Sequence, residues 1–576
     1  MPNTGPVVSR AREGLARMDM RLGSLNGGLW CDMPRQDIPE SGWTDGYDFI
    51  VNQGYEVAVR QGRKLINNLT EDEDLAADFP VVEQIHGMHH HRSCASNDSL
   101  LAIIGNQIAR YNGSVWAWLY DSEDPPVIRS FAVEGRPVFS QMGDGTDEFS
   151  SVCIHGNQPL LVKTDGTNDW IDTSPGVTVT VEPRWSQTYI RRLWLAGDDA
   201  TGTWIYCSDI ADPAGWTAGS TADLCQAFNV GEDDGQRIVG LAVKFGYLFI
   251  FKERSIWYLD AYAADAPEDW AIKCFNPAVG GCEGCGYTIQ DVGTDVIFAS
   301  HNGDFRTLRD TDKTGLFATT TLSSRRLHTH LSTFEYDASA SILDRDKGWY
   351  LLAAKTPSDM RNSGYMIYDY GKQTDSVEGG SPGLWYRIAP MMAWNEVGQV
   401  YDQLNARSCF CETNMFGADW EVLSGGYEGC IFREFGQIDE AKETAEAALE
   451  DVPIFAWLTG KHITLPEGEN FDLLSLQMLV LFDANPYGSY VQLGAMLDPD
   501  ERNQTVVNAV RYEDSYGVPL IWDEANWDEG FWDATTNVMA KSDIDANGHT
   551  FMPFIGAYGA SLTIFKVSAT LRPGRV

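Results

Sequence analysis

Short apolar runs separated by tight turns recur along the chain and predict antiparallel hairpins. In residues 241–259 the run LFIF is followed by a charged turn, KERS, and by a second run, IWYL. Residues 294–308 repeat this plan around Asn302-Gly303, and residues 100–119 contain three such runs. Asn-Gly accommodates the positive φ of a tight hairpin, and aromatic and β-branched residues fit a pleated sheet. Hairpins of one repeated type predict small sheets arranged radially.

Similar apolar runs continue at intervals over residues 85–436. They are separated by roughly 33 to 60 residues, which brackets the length of one four-stranded propeller blade. Asn-Gly, Asp-Gly and Gly-Gly turns punctuate the runs, whereas no WD40 or kelch signature recurs. We therefore predict an irregular β-propeller of roughly six blades. The runs begin near Leu100, Leu160, Leu193, Leu248, Val296 and Trp349.

The rest of the chain divides into four further segments. Residues 1–24 form a polar N-terminal arm, and residues 25–84 form an extended segment with one hairpin. Residues 437–450 are rich in Ala and Glu, which predicts a linker or a short helix. Residues 451–576 predict a β-sandwich-like domain, so the fold class is mostly β, an irregular β-propeller followed by a C-terminal β-sandwich-like domain. Strands of that domain are predicted at residues 473–482, 490–497, 505–510 and 562–571.

The 576 residues include 42 Lys and Arg against 82 Asp and Glu, a formal net charge of −40. This acidity argues against a general nucleic-acid-binding surface, which is basic. Two explanations stay open: an acidic channel wall that repels phosphates and lets DNA slide, or simple solubility of an aromatic-rich protein. We expect no signal peptide and no membrane helix, because neither pattern occurs. The 11 Cys are expected to be free thiols.

Residues 25–66 contain the most diagnostic pattern. A GGL turn is followed by an acidic residue, two prolines, a Trp, and a strand–turn–strand unit that ends in Arg and Gly. This pattern resembles the N-terminus of tail nozzle or hub proteins of short-tailed bacteriophages, also called packaged-DNA stabilisation proteins. Trp30 and Cys31 stand where that family typically has Asn and Thr, and Lys64-Leu65 replaces its closing Pro-Gly. The matching residues are Gly27, Gly28, Leu29, Asp32, Pro34, Pro39, Trp43, Asp48, Arg60 and Gly62.

The resemblance extends to the blade sequence of residues 241–308 and to Trp-Asp repeats near the C-terminus. It implies a virion tail protein, made in the host cytoplasm, that assembles with itself into a ring of six copies. Its partners would be the portal-adaptor, other tail proteins, and DNA that passes through the lumen without sequence-specific binding. It implies no enzyme activity and no cofactor. The alternatives are a carbohydrate-binding or glycan-cleaving β-propeller involved in receptor recognition, and a cytoplasmic propeller scaffold.

Two groups of residues are candidates for docking partners. Four arginines give the N-terminal arm a local positive charge that suits an acidic neighbour or DNA, although a solvated terminus explains them equally. Three Trp-Asp pairs recur every five residues near the C-terminus, and this spacing puts successive Trp on opposite faces of a strand. These Trp predict a pinned loop or a subunit interface, or a surface for stacking on sugars. The residues are Arg10, Arg12, Arg17, Arg21, Trp522, Trp527 and Trp532.

Metal and catalytic signals are weak. Asp543, Asp545 and Asn547 match the start of an EF-hand loop, but Phe554 replaces the Glu required at position twelve. Cys282-x-x-Cys285 resembles half a zinc site or, alternatively, a turn with two free thiols. The His-rich stretch at residues 86–91 predicts a surface or interface turn rather than a metal site. No catalytic motif is present, so we predict no catalytic residues.

Overall fold

Antiparallel strands make up almost all of the structure, a computed structural model of the chain. Its described helices are a four-residue α-helix, His328–Leu331, and two 3-10 turns, Pro267–Asp269 and Cys285–Tyr287. None of these described helices is long and apolar enough to cross a membrane. The structure describes residues 18–573 except 22–24, 35–36, 40, 53, 55, 70–82, 94–97, 122–132, 144–147, 164–166, 172–180, 218–223, 233, 262–266, 312–315, 324–326, 373–382, 391, 396–399, 404, 418, 438–439, 442–450, 453, 462, 465–470, 485–489, 498–505, 514–534, 549 and 559.

The N-terminal segment contributes five strands and divides them between two domains. They are β1 (Met18–Arg21), β2 (Trp43–Tyr47), β3 (Phe49–Val51), β4 (Val57–Val59) and β5 (Gly62–Asn68). β3 and β4 pair as a hairpin, and the Asn52 N–H closes its turn by donating to the Glu56 carbonyl at 2.8 Å. β1 to β4 join the C-terminal sandwich, whereas β5 joins the propeller.

Seven sheets of the described chain form the blades of a β-propeller, which confirms the predicted fold class and corrects the predicted count of roughly six blades. Six blades have four strands, and blade 2 gains a fifth, parallel edge strand, β10. The inner strands contact one another from blade 5 through blades 6, 7, 1, 2 and 3 to blade 4, and the 3-10 turn Cys285–Tyr287 contacts both blade 4 and blade 5. The strands are, for blade 1, β6 (Ile85–His91), β7 (Ser99–Ile104), β8 (Gln107–Tyr111) and β9 (Trp116–Trp118); for blade 2, β10 (Tyr120–Asp121), β11 (Glu134–Gly143), β12 (Glu148–His155), β13 (Leu160–Lys163) and β14 (Thr167–Trp170); for blade 3, β15 (Trp185–Tyr189), β16 (Arg192–Ala196), β17 (Trp204–Cys207) and β18 (Gln226–Asn229); for blade 4, β19 (Ile238–Lys244), β20 (Tyr247–Lys252), β21 (Ile256–Asp260) and β22 (Ala271–Asn276); for blade 5, β23 (Gln290–Asp291), β24 (Asp295–Ala299), β25 (Phe305–Thr311) and β26 (Leu316–Thr321); for blade 6, β27 (Glu335–Asp344), β28 (Trp349–Lys355), β29 (Gly364–Asp369) and β30 (Leu384–Ile388); for a separate hairpin, β31 (Met392–Asn395) and β32 (Val400–Gln403); and for blade 7, β33 (Cys409–Thr413), β34 (Glu421–Gly425) and β35 (Cys430–Gln437).

Blade 7 is completed by a strand from the other end of the domain. β5 forms its outer edge by pairing with β35, with Leu65 opposite Phe432. The Arg63 guanidinium lies 3.7 Å from the centre of the Phe432 ring and donates to the Ala406 carbonyl at 3.3 Å. Because the first and last strands share one sheet, the propeller closes without an exposed edge between its two ends.

Two six-stranded sheets form the C-terminal sandwich, and each combines N-terminal with C-terminal strands. The further strands are β36 (Glu440–Ala441), β37 (Asp451–Val452), β38 (Phe455–Gly460), β39 (Ile463–Thr464), β40 (Phe471–Ala484), β41 (Tyr490–Leu497), β42 (Val506–Glu513), β43 (Thr535–Gly548), β44 (Thr550–Tyr558) and β45 (Ala560–Pro573). One sheet has the order β3-β4-β45-β40-β43 with β1 on β45, and the other has the order β2-β38-β44-β41-β42 with β39 on β44.

The connection between the domains, predicted as a linker or a short helix, is not helical where it is described. Glu440 and Ala441 are in a strand, β36, which pairs with β37, while residues 442–450 lie outside the described part of the chain. One hydrophobic core then runs from blades 5 and 6 through the N-terminal segment into both sandwich sheets. Domain packing therefore depends on strands that the N-terminal segment supplies.

Candidate functional site

The residues that carry the phage-like pattern lie at the junction between the sandwich and blade 6. The Gly27 N–H donates to the Ser41 carbonyl at 2.8 Å. Gly28 has a φ of +68°, and a Cβ at this position would lie 3.2 Å from the Leu384 side chain in β30. The left-handed backbone and the close approach of blade 6 together favour glycine here.

Trp43 fills the centre of this junction. Its side chain is 1% exposed, its ring centroid lies 5.9 Å from that of Tyr386 in blade 6, and its indole N–H donates to the Leu25 carbonyl. Leu29, which is fully buried, forms an isolated bridge to Trp43. A buried indole needs a partner for its N–H, and the GGL turn brings the Leu25 carbonyl to it. The turn and the Trp therefore act as one packing unit.

A buried ion pair fixes the β3–β4 hairpin to the end of blade 6. The Arg60 Nε donates to the Asp48 carboxylate at 2.6 Å, and the two side chains are 1% and 3% exposed. The Asp48 N–H donates to the Arg387 carbonyl at 2.9 Å, and the Ala389 N–H donates to the Asp48 carboxylate at 3.3 Å. Asp48 thus joins the hairpin to blade 6 through both its backbone and its side chain.

Side chains close the propeller axis at the end where the inner strands begin. Arg136 in β11 reaches β27 and donates to the Ser339 carbonyl at 3.4 Å. Arg184, just before β15, donates to the Tyr287 hydroxyl and the Asp337 carbonyl, both at 3.3 Å. The space that remains near the axis is a cavity of about 410 Å³. In the described part of the chain, one copy therefore has no axial passage for a nucleic-acid duplex.

This axial cavity is lined by residues of blades 1, 2, 5, 6 and 7. His89 stacks on Phe139, with ring centroids 5.1 Å apart and planes 8° apart. At the mouth, the Arg92 N–H donates to Oε1 of Gln141 at 3.2 Å, and the Gln141 amide donates back to the Arg92 carbonyl. The Arg92 guanidinium lies 4.5 Å from the centre of the Trp420 ring, and Trp420 is 39% exposed. Arg92, which lines the cavity, thus contacts an accessible aromatic ring of the neighbouring groove.

Burial controls the ionisation of the cavity side chains. It lowers the pKa of His89 to about 3, with smaller contributions from the neighbouring histidines and Arg92. Burial also raises the pKa of the Glu412 carboxyl, which Arg345 and Arg92 oppose. At neutral pH, His89 is therefore a neutral imidazole, and its buried Nε2 has no hydrogen-bond partner among the described residues.

Acid should destabilise the protein through His89. The unfolded residue takes up a proton below its ordinary pKa of 6.5, whereas the folded protein does so only near 3. Stability is thus fully present above about pH 6.5 and is lost as the pH falls towards 3, by about 2 kcal/mol at about pH 5. We expect His89→Gln to lose less stability between pH 8 and pH 5 in urea unfolding. The exposed His301→Gln serves as control, and an equal loss in both variants would contradict this assignment.

The histidine-rich stretch is a strand, not the predicted surface turn. It forms β6, the inner strand of blade 1. His90 and His91 are 5% and 1% exposed, and His91 Nδ1 lies 2.8 Å from the Ser150 hydroxyl of blade 2. Burial lowers the pKa of both imidazoles. As neutral rings they pack between blades, which explains why a polar sequence occupies an inner strand.

The Cys282-x-x-Cys285 segment is a closely packed turn of free thiols. Gly284 has a φ of +75°, and a Cβ there would lie 2.1 Å from the Tyr336 carbonyl oxygen, so the turn admits only glycine. Burial raises the pKa of the Cys282 thiol to about 12. Few thiolate anions form at neutral pH, and the thiolate is the reactive species.

The rate of alkylation should differ between two free thiols, Cys274 and Cys282. Cys274 is exposed, whereas Cys282 is half-buried with a pKa of about 12. With iodoacetamide at about pH 8, we expect Cys274 to be labelled at least about tenfold faster than Cys282. Peptide mass spectrometry over time measures both rates, and urea-unfolded protein, in which the rates should converge, is the control. Equal rates in the folded protein would refute the expectation.

The predicted docking residues fall mainly outside the described part of the chain. Arg21 is described: it ends β1 and stands opposite Ser568 of β45 in the sandwich. The described end of the predicted polar arm is therefore a strand, because its backbone pairs with the edge of β45. The others, which lie outside the described residues, are Arg10, Arg12, Arg17, Trp522, Trp527 and Trp532.

The residues of the candidate calcium loop form part of a β-strand. Asp543, Asp545 and Asn547 all lie in β43, where Asp543 is opposite Ser475 and Asn547 is opposite Asp472. An EF-hand loop instead winds around its ion, so the loop conformation expected here is replaced by a strand that pairs along β40. Within the described ranges, no group of three or more His, Cys, Asp or Glu side chains is placed to hold a metal ion.

Comparisons with known proteins found no relative by sequence, and they found solved structures of low similarity. No family model matches the chain, and no curated protein matches it. Among solved structures, BBS1N in complex with ARL6DN is 8% identical, with a TM-score of 0.37, and the match covers 66% of this chain and 99% of that one. The Cps50 (Swd1) β-propeller domain of Myceliophteria thermophila is 9% identical, with 60% and 96% covered and a TM-score of 0.33. The WD40 propeller of Doa1 is 10% identical, with 51% and 91% covered and a TM-score of 0.26. The seven-bladed sheet topology identifies the chain as a mostly β protein with a β-propeller fold.

Proposed function

We propose that this protein is a structural component of a phage tail, a nozzle or hub that forms a ring with a central channel. The channel retains packaged DNA and conducts it during ejection. The proposal rests on the structural role of the N-terminal residues that resemble the phage family. Gly28, Trp43 and the Asp48–Arg60 pair build the buried junction between the propeller and the sandwich. The residues that resemble the phage family are therefore residues that pack the propeller against the sandwich within one subunit.

The geometry of one copy suits a channel that lies between copies. Arg136 and Arg184 reach across the propeller to blade 6, so the described part of one propeller leaves no route for duplex DNA. The closed propeller and the shared core give a stiff subunit that is suited to arrangement around a pore. The net charge of −40 favours a lumen that repels phosphates. In the virion the partners are further copies, the portal-adaptor and other tail proteins.

Electron microscopy and native mass spectrometry test the proposal. We expect the purified protein, or tails isolated from virions, to show rings of six copies with subunit interfaces beyond about 2,000 Å². Virions decorated with an antibody against the N-terminus should carry the label at the tail. A stable monomer that is absent from virions would refute the proposal.

The alternative, a glycan-binding or glycan-cleaving propeller, is favoured by one groove. Trp420, with 39% of its surface exposed, lies there beside Glu412 and Glu421. An aromatic ring next to carboxylates is the arrangement that sugar-binding and sugar-cleaving sites use. Trp420→Ala should then abolish binding of host polysaccharide, whereas Trp204→Ala, at an exposed Trp of blade 3, should not. Release of reducing ends would indicate cleavage.

A further inference from the structure

One cation that lines the axial cavity, Arg136, forms no ion pair with a described residue. Arg136 lines the cavity, and its hydrogen bond is to a neutral acceptor, the Ser339 carbonyl, at 3.4 Å. No ion pair between Arg136 and a described residue is present, and its titratable neighbours are Cys409, Tyr287 and Cys411. A guanidinium stays charged in proteins and presents five donors, so most of its hydrogen-bonding capacity is available here.

A second polar group, the His89 imidazole, lies in the same cavity. His89 also lines the cavity, and its buried Nε2 has no partner among the described residues. Buried polar atoms are normally hydrogen-bonded, so this nitrogen is available to a bound polar group. The walls beside it are aromatic, from Phe139 and Phe410. The cavity lining therefore offers both polar and apolar contacts.

The size of the cavity limits the ligand. A volume of about 410 Å³ lies in the range of small-molecule sites and far below that of a polymer channel. Among the described residues that line it, Glu412 is the one carboxylate, and its Oε2 lies 4.0 Å from the Arg345 guanidinium. The Glu412 charge is thus partly balanced by Arg345, whereas Arg136 has no such counter-ion among the described residues.

We propose that the axial cavity binds a small organic oxyanion, a carboxylate or a phosphate ester, through the Arg136 guanidinium. Carboxylate and phosphate both match the planar donor fork of Arg. The volume of about 410 Å³ has room for a six-membered ring of sugar size, and Phe139 and Phe410 are the aromatic lining residues available to it. This inference is independent of the tail assignment, because it uses only the interior of one propeller.

Isothermal titration calorimetry of the full-length protein tests the inference with four probes. These are glucuronate, glucose 6-phosphate, inorganic phosphate and neutral glucose. We expect glucuronate or glucose 6-phosphate to bind at least about tenfold more tightly than glucose, because only the charged compounds pair with Arg136. Preference between the two distinguishes a carboxylate from a phosphate ester. Equal affinity for glucose, or no binding of any probe, overturns the proposal.

Two variants of Arg136 test whether the charged probes bind in the axial cavity. Arg136→Gln should weaken binding of the charged probes at least about tenfold, whereas Arg136→Lys should retain part of it. The matched control is Arg237→Gln, at a guanidinium that is 62% exposed and pairs with Asp199 outside the cavity. Unchanged binding in a folded Arg136→Gln protein overturns the proposal. If that variant does not fold, the comparison of probes on the unaltered protein decides.

Discussion

Removal of residues 1–69 is expected to abolish cooperative folding of both domains. The segment supplies β5, the outer strand of blade 7, so its loss opens the propeller and exposes the edge of β35. It also supplies β1 to β4, which belong to both sheets of the sandwich. An unpaired edge strand is an aggregation site, and the buried face of each sheet would be left without cover.

Solubility and thermal unfolding measure this effect. We expect the shortened protein to be insoluble, or to lack a cooperative transition and near-ultraviolet circular dichroism. A variant that lacks residues 1–17 is the control, because it keeps every described strand and should melt as the full chain does. A cooperative transition in the protein without residues 1–69 would show that the propeller closes without β5.

The repeated apolar runs were sufficient to predict a propeller, but not its number of blades. The run at residues 248–251 lies in β20, and its side chains are fully buried. Blade 7 differs, because its outer strand β5 is more than 300 residues from its partner β35. Within a single sequence, local patterns record strands and turns, whereas pairing between distant segments leaves no local pattern.

The axial cavity was not predictable for a related reason. Arg136 lies in the inner strand β11, where it precedes Pro137 and no local motif distinguishes it. Its partner Ser339 is 203 positions away, and the two meet only because blades 2 and 6 face each other across the axis. Polar residues in inner strands, such as Gln141 and Glu412, are the one sequence signal that this site offers.

At the junction between the propeller and the sandwich, the sequence resemblance identifies the residues but does not predict their contacts. The matching residues were found from their pattern in residues 25–66. That pattern did not show that Trp43 packs against Tyr386 or that Asp48 receives a hydrogen bond from Ala389. These contacts join segments more than 300 residues apart, so they depend on the fold as a whole.

Asp48→Asn should destabilise the protein by about 3 kcal/mol, since it leaves the Arg60 charge buried without its carboxylate. Arg60 is 2% exposed and lies 2.6 Å from Asp48, so water cannot replace the lost partner. Asn keeps the size of the side chain and tolerates the φ of +62° at this position, so the change is chiefly one of charge. Urea unfolding measures the loss.

Two further variants separate burial of charge from a general effect of the substitution. Asp199→Asn removes a carboxylate that is 67% exposed and pairs with Arg237, and we expect a loss of at most about 1 kcal/mol. Combining Asp48→Asn with Arg60→Met should recover part of the lost stability, because no unpaired charge then stays buried. If the double variant is as unstable as the sum of the single ones, the cost arises from lost packing at the junction, and the ion pair is not what fixes the hairpin to blade 6.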